Sequence, residues 1–323
     1  MPQCLAGRNK QTMASYASNV KKELTSLPIH PEHAKAELAA FLRMNGILNF
    51  HDHQFSLDIT TENPAIARRI FSLIKTAYKV EPQLIVSRKM KLKKNNQYLV
   101  RLQNHVKEIL NNLEILTPSL NLITRIPDRI IKSREGAMSY LRGAFLASGS
   151  VNNPNTSRYH LEVYSIYQDH NDDLLKIMND RFNLNAKSTK RRRGYIVYLK
   201  EAEKIGDFLH IVGALNAMLS FEDLRIMRDM RNSVNRLVNC DTANLKKTAN
   251  AAAKQVEDIE LIERKIGLEN IPEKLQGLAR LRLDEPELSL KEIAQQVPDG
   301  PISKSGANHR FKKIHDIAEN IQK

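Results

Sequence analysis

Two segments of this 323-residue chain repeat one another, and that duplication constrains the fold more than any other feature. LAAFLRMNGILNF, Leu38 to Phe50, resembles LRGAFLASGSV, Leu141 to Val151, and Gly46 and Gly149 lie 103 residues apart. Each copy opens with a helix ending at its glycine. In the first copy, alternating sequence from Ile47 to Thr60 predicts strands, and PAIARRIFSLIKTAY carries helical periodicity (Ile66, Ile70, Phe71, Ile74). A second alternating pair flanks Lys93 to Asn96, and a helix follows near Val106 to Leu113. The second copy repeats the order. Tyr159 to Tyr167 reads as a strand and Asp169 to Phe182 as a helix. Leu184 to Thr189 and Tyr195 to Lys200 read as a hairpin around Lys190 to Gly194, with Glu201 to Val212 helical after it. The result is two α-β-β-α-β-β-α units joined by Leu116 to Arg134, where Pro118 and Pro127 interrupt any periodicity.

Charge is placed in step with the duplication. Subtracting 36 acids from 50 Lys and Arg gives +14, a balance that favours contact with a polyanion. Six basic residues and no acid lie between Ser87 and Arg101: Arg88, Lys89, Lys91, Lys93, Lys94 and Arg101. Six more lie between Ala186 and Lys200: Lys187, Lys190, Arg191, Arg192, Arg193 and Lys200. Both runs fall in the second hairpin of their copy. Lys89, Lys91 and Lys93 alternate with Met90 and Leu92, which on a strand puts three ammonium groups on one face. Arg191, Arg192 and Arg193 at a hairpin tip would meet phosphates without reading sequence.

Beyond Ser220 the alternation ceases and the remainder reads as all helical. Ser220 with Asp223 looks like a helix start running to Asn239, and Asp241 like the cap of a second long helix. The apolar positions of that second helix are Leu245, Ala249, Ala252, Val256, Ile259 and Ile266, and Gly267 stops it. Met13 to Leu27 forms an amphipathic segment (Tyr16, Val20, Leu24, Leu27) expected to pack on the neighbouring domain. Near the end, Leu290, Ile293, Ala294 and Val297 follow the cap Ser289, Pro298 to Pro301 makes a turn, and Ala307, Phe311, Ile314 and Ala318 form the next apolar stripe. Two short helices across a tight turn make a helix-turn-helix. Its recognition helix, capped by Ser303, would present Lys304, Ser305, Asn308, His309 and Lys312, with Arg310 and Lys313 placed for phosphates. Asn to adenine and Lys to guanine are the expected base contacts.

Leu38 to Gly46 aligns with the LAGLIDADG signature position by position, and Leu141 to Gly149 aligns with it again. The chain from about Ala34 to Val212 thus resembles a monomeric two-repeat LAGLIDADG homing endonuclease. In that family the acid at the eighth signature position of each repeat binds the catalytic divalent metal. Here those positions are Asn45 and Ser148, and the sixth positions are Arg43 and Leu146. An amide and a hydroxyl supply little of the negative charge that holds Mg²⁺, so the resemblance implies a scaffold that has kept its groove and lost its nuclease.

The two-repeat domain followed by a helix-turn-helix resembles the WhiA regulators of sporulation and cell division, and VNRLVNCDTANLKKTANAA and SLKEIAQQVPDGPISKSGANHR look like that family's most recognisable segments. The resemblance implies an α+β fold: a two-repeat LAGLIDADG-like α-β-β-α-β-β-α domain followed by an all-α helix-turn-helix domain. Expected boundaries are 1–33 for an N-terminal extension and helix, 34–115 and 134–213 for the repeats, 116–133 for their linker, 220–268 for long linker helices and 270–323 for the helix-turn-helix. It also implies a sequence-specific DNA-binding regulator, acting in cell division, chromosome segregation or sporulation-linked transcription. The expected partners are double-stranded DNA and proteins of the transcription or cell-division machinery, with no cofactor and no metal. Residues 1–12 have no counterpart in the pattern, which makes Met13 a candidate natural start.

Other chemistry finds little footing. The chain has no P-loop, dinucleotide-binding, HExxH or GxSxG motif, which excludes the enzymes built on them. Phe208 to Phe221, the longest weakly polar run, is too short to span a bilayer, and MPQCLAGRNKQT has no apolar stretch behind its charge, so a cytosolic, nucleoid-associated protein is expected. Cys4 and Cys240 form no C-x-x-C pair, and Cys240 is expected to pack at a helix junction. His51-Asp52-His53 reads as a polar turn, and Asp169 to Asp173 as a helix N-terminus rather than a calcium loop, since Leu174 stands where such a loop needs Gly. Two alternatives compete with a regulator: a residual metal-dependent endonuclease recruiting acids from elsewhere, and an adaptor whose LAGLIDADG-like half binds protein.

Overall fold

The computed structural model describes residues 15–51, 54–88, 96–156 and 158–322. The chain divides into two units at Arg228 and Asp229.

In the first unit, α1 (Tyr16–Ser26) precedes two copies of one arrangement. The first copy holds α2 (Pro31–Asn45), β1 (Gly46–His51), β2 (Gln54–Thr61), α3 (Pro64–Tyr78), β3 (Gln83–Arg88), β4 (Asn96–Leu102) and α4 (Val106–Asn112). The second holds α5 (Arg134–Ser148), β5 (Gly149–Val151), β6 (Leu161–Ser165), α6 (Gln168–Lys176, continued by a π turn at Ile177–Arg181), β7 (Lys187–Arg191), β8 (Gly194–Leu199) and α7 (Ala202–Val212). Each copy forms a four-stranded antiparallel sheet, in the orders β1-β2-β4-β3 and β5-β6-β8-β7. The predicted α-β-β-α-β-β-α order is present twice.

The signature helices α2 and α5 pack against each other through small residues. A Cβ on Gly143 would strike the Glu37 carbonyl oxygen and come within 3.0 Å of the Ala40 Cβ, so only glycine permits this approach. Leu38 to Leu42 and Leu141 to Leu146, apart from the half-buried Arg142, are buried there. The same steric reasoning ends both helices: at Gly46 and Gly149 a side chain would collide with the carbonyl oxygens of Leu42 and Phe145, and the backbone turns extended at φ −74° and −77°. Leu57, Ile59, Val100 and Leu102 of the first sheet, and Leu161, Val163, Val197 and Leu199 of the second, face the helices as the apolar core.

Buried charge ties the copies together. Glu37, 2% exposed, forms a bidentate pair with Arg69 and lies 3.4 Å from Arg142 of the second copy. Arg69 also donates to the Leu27 carbonyl at 2.7 Å, and Arg142 to that of Val212 at 2.7 Å. The segment between the copies is irregular but anchored: Asp173 accepts from the Ile126 amide at 2.8 Å and from Arg125.

One 51-residue helix, α8 (Leu215–Lys265), replaces the two helices expected around Asn239 and Asp241. Its span contains no Gly or Pro, so nothing obliges it to break, and neither Ser220 nor Asp241 caps an end. Its first turns belong to the first unit, where the Glu23 carboxylate accepts from the Asn216 and Ala217 amides at 2.8 and 2.9 Å. Leu245, expected on an apolar stripe, is 72% exposed, and Cys240 is exposed rather than packed.

In the second unit, Ile259 and Ile262 of α8 join a core completed by a 3-10 turn (Leu268–Asn270), α9 (Glu273–Asp284), α10 (Leu290–Gln296) and α11 (Lys304–Gln322). Gly267, at φ 83°, stops α8 as expected. Ser289 and Glu292 form a full capping box at α10. Gly300, at φ 106°, makes the turn, which closes with the Ile302 amide on the Ala294 carbonyl at 2.8 Å. Among the described residues no helix is long and apolar enough to cross a membrane.

Candidate nucleic-acid interface

At the carboxyl ends of the signature helices, the two lost acid positions are engaged within the protein. Asn45 donates its amide to the Ala147 carbonyl at 3.3 Å, and the Ser148 hydroxyl donates to that of Tyr164 at 2.6 Å. An amide and a hydroxyl already bonded to backbone do not fit a divalent cation, which takes carboxylates and water. The sixth position carries a cation instead. Arg43, 7% exposed, donates to the Glu114 carbonyl at 2.8 Å, while its Nε and Nη1 are buried without an acceptor among the described residues. Nearby, the Tyr140 hydroxyl lies 2.8 Å from His170 Nε2, and His170 Nδ1 lies 2.9 Å from the Ser165 hydroxyl. Burial, and then the charge of Arg43, push the His170 imidazole down to about 3, so this ring stays neutral. The sixth position of the first signature thus supplies a buried guanidinium and a neutral ring network in place of a carboxylate.

The outer faces of the two sheets, turned away from the helices, carry ion pairs among apolar side chains such as Ile47, Ile85 and Ile196. On the first, Asp58 accepts two hydrogen bonds from Arg101 at 2.8 Å each and one from Asn49 at 3.0 Å. On the second, one Glu162 oxygen lies 2.8 Å from Arg191 Nη2 and 2.9 Å from His160 Nε2. The His160 ring stacks on Tyr198 at 5.8 Å, and Lys200 lies over the same tyrosine at 5.1 Å. Sequence reading counted Arg101 only as one charge in a run and passed over Asp58, Glu162 and His160. The Arg101–Asp58 and Arg191–Glu162 partners are 43 and 29 residues apart, beyond the reach of local pattern.

The second basic hairpin differs in detail from expectation. Pairing continues to Arg191 opposite Gly194, so Lys190 and Arg191 are strand residues on opposite faces, and only Arg192 and Arg193 form the tip. Gly194 lets the hairpin lie close against β6, since a side chain there would meet the Ser165 carbonyl and the Tyr164 ring. Lys89, Lys91, Lys93 and Lys94 of the first hairpin, and the Asp52-His53 part of the histidine motif, lie outside the described residues.

On α11 the Ser303 hydroxyl accepts from the Gly306 amide at 3.0 Å, the predicted cap. Ala307, Phe311, Ile314 and Ala318 are buried, which turns Lys304, Ser305, Asn308, His309, Lys312 and Lys313 to solvent. Arg310, expected at a phosphate, also has partners within the domain. Its guanidinium donates to the Lys274 carbonyl at 2.9 Å and lies 3.7 Å from Asp299, so it fastens α11 to α9 and the turn.

Comparison with known proteins follows the same division. The WhiA N-terminal LAGLIDADG-like domain matches residues 31–116, the WhiA LAGLIDADG-like domain 137–231, and the WhiA C-terminal HTH domain 234–318. The chain is 78% identical over 310 residues to the probable cell division protein WhiA of Lactobacillus helveticus (strain DPC 4571), over 96% of this chain and 100% of that protein. It is 80% identical over 310 residues to the protein of the same name from Lactobacillus johnsonii (strain CNCM I-12250 / La1 / NCC 533), over 96% and 99%. Among solved structures, full-length DUF199/WhiA from Thermatoga maritima superposes with a TM-score of 0.58 at 28% identity, over 95% of this chain and 98% of that one.

Proposed function

Since the chain belongs to the WhiA family, we propose that it is a sequence-specific DNA-binding regulator linked to cell division. In this reading α11 enters the major groove and reads bases, the two basic hairpins add affinity through phosphates, and the homing-endonuclease-like scaffold performs no chemistry. Its targets belong to division, chromosome segregation or sporulation-linked transcription. The observation that carries the proposal is the amino-terminal half of α11. Its buried stripe faces Lys304, Ser305 and Asn308 outward beside the capped helix start, where base contacts are made, and no acid interrupts Ile302 to Lys313. Lys313, exposed near the middle of the helix, is assigned to phosphate, and Arg310 is left out of the contact set.

The test is the ratio of specific to random binding. Sites recovered by genome-wide crosslinking supply the specific duplex. Asn308→Ala should weaken binding to it by about 1 to 3 kcal/mol and leave random DNA nearly unaffected. An unchanged ratio with the fold intact would remove α11 as the reader. Binding of protein but no DNA would favour an adaptor.

A further inference from the structure

The register of the two sheets shows a second correspondence that the sequence repeat does not. Gly46 faces Ile59 and Gly149 faces Val163, so Asp58 and Glu162 hold the same place in the two copies, one residue before the partner of each signature glycine. Alternation points both carboxylates away from the helices, onto the outer faces. Each captures an arginine from a neighbouring part of its own sheet, from the paired strand β4 for Asp58 and from the edge strand β7 for Glu162. The arginine side chains are 34% and 54% exposed, open to a passing phosphate, while the carboxylates are only 11% and 23% exposed. A phosphate that takes the guanidinium leaves each carboxylate without its cation, with only Asn49 beside Asp58 and the His160 ring beside Glu162, an unfavourable exchange.

A surface shaped only for affinity would not carry acids here, because each repels the backbone and occupies a cation. We propose that Asp58 and Glu162 are specificity-determining residues: by holding Arg101 and Arg191 in internal ion pairs, they withhold two guanidinium groups from phosphate and keep binding to random DNA weak. The proposal rests on the DNA-binding reading above. It makes the sheets a surface whose attraction is deliberately partial, so that sequence recognition elsewhere dominates the choice of site.

Full-length Asp58→Asn and Glu162→Gln variants test it on a random-sequence duplex across a salt series, read by fluorescence anisotropy. Each should tighten binding about five- to tenfold near 0.1 M salt and steepen the log-log salt dependence by up to about 0.9 for the released arginine. Adding Arg101→Ala to Asp58→Asn should return the slope to the parent value. Because Asp58 is the more buried acid, Glu162→Gln carries the test should Asp58→Asn fail to fold. Variants that fold and bind random DNA no tighter than the parent would overturn the proposal. So would weaker binding to the specific site with random binding unchanged, which would make the acids supports for base-reading arginines. A parent chain with no affinity for any duplex would overturn the DNA-binding reading itself, a result the variants are not needed to see.

Discussion

Asn308 and Phe311 stand three positions apart on α11, and their shortening to alanine separates recognition from folding. Phe311 is 4% exposed beneath the guanidinium of Arg282, 5.4 Å from the ring centre. Phe311→Ala should cost about 3 to 5 kcal/mol and abolish DNA preference only by unfolding the domain, a loss that circular dichroism detects and Asn308→Ala lacks. His170 gives a pH signature. The unfolded imidazole takes up a proton near 6.5, whereas the folded one resists it down to about 3. The folded protein thus binds fewer protons in that window, so the contribution is fully present above 6.5 and lost as pH falls toward about 3. Urea midpoints of His170→Gln should fall less between pH 7 and about 4.5 than those of the parent; parallel slopes would sink the assignment. Lys21 runs the other way. Burial pushes its ammonium from 10.5 down to about 8, with no acidic partner among the described residues and its Nζ 5.7 Å over the Phe145 ring. This destabilises the fold below pH 8 and is relieved as pH rises toward 10.5, so the stability gained by Lys21→Met should shrink over the same interval.

At the level of elements, regular patterns were readable and exceptions to them were not. The helix predicted from PAIARRIFSLIKTAY is α3 to the residue, because Asn63 and Pro64 start it and its apolar stripe has one period. The duplicated order and the caps at Ser289 and Ser303 were equally accessible, since each is set within a few residues. Ser220 and Asp241 predict two helices where α8 is one, because these residue types cap only where the chain already leaves the helix, and nothing within Leu215–Lys265 breaks it. Asp241→Ala should therefore change the melting free energy by less than about 0.5 kcal/mol, whereas Ser303→Ala should cost about 1 kcal/mol. Much of the candidate site was visible as α11's exposed face and the basic runs. The rest depends on cross-strand partners and on a turn three residues shorter than the Lys190 to Gly194 loop expected. That turn makes a further prediction: replacing Arg192 and Arg193 with Ala should flatten the salt dependence by up to about 0.9 per lost contact, and replacing Arg191 by less, because Glu162 already holds it. Equal effects at all three would contradict the pairing.

For the molecule as a whole, the engagement of Asn45 and Ser148 with backbone carbonyls predicts that purified protein in Mg²⁺ or Mn²⁺ leaves bound DNA uncut. Cleavage abolished by Asn45→Ala would refute this on a gel. Both copies keep the architecture, but they no longer hold equivalent parts. Glu37 and Arg69 belong to the first copy and Arg142 to the second, while the positions matching Glu37 and Arg142 by the 103-residue offset are Tyr140 and Ala39. Two first copies would bury Glu37 without Arg142, and two second copies would bury Arg142 without Glu37. In evolutionary terms that three-charge knot makes the halves unequal heirs: the first copy keeps Arg69 beside Glu37, whereas the second, alone or doubled, would strand the Arg142 guanidinium without its acid.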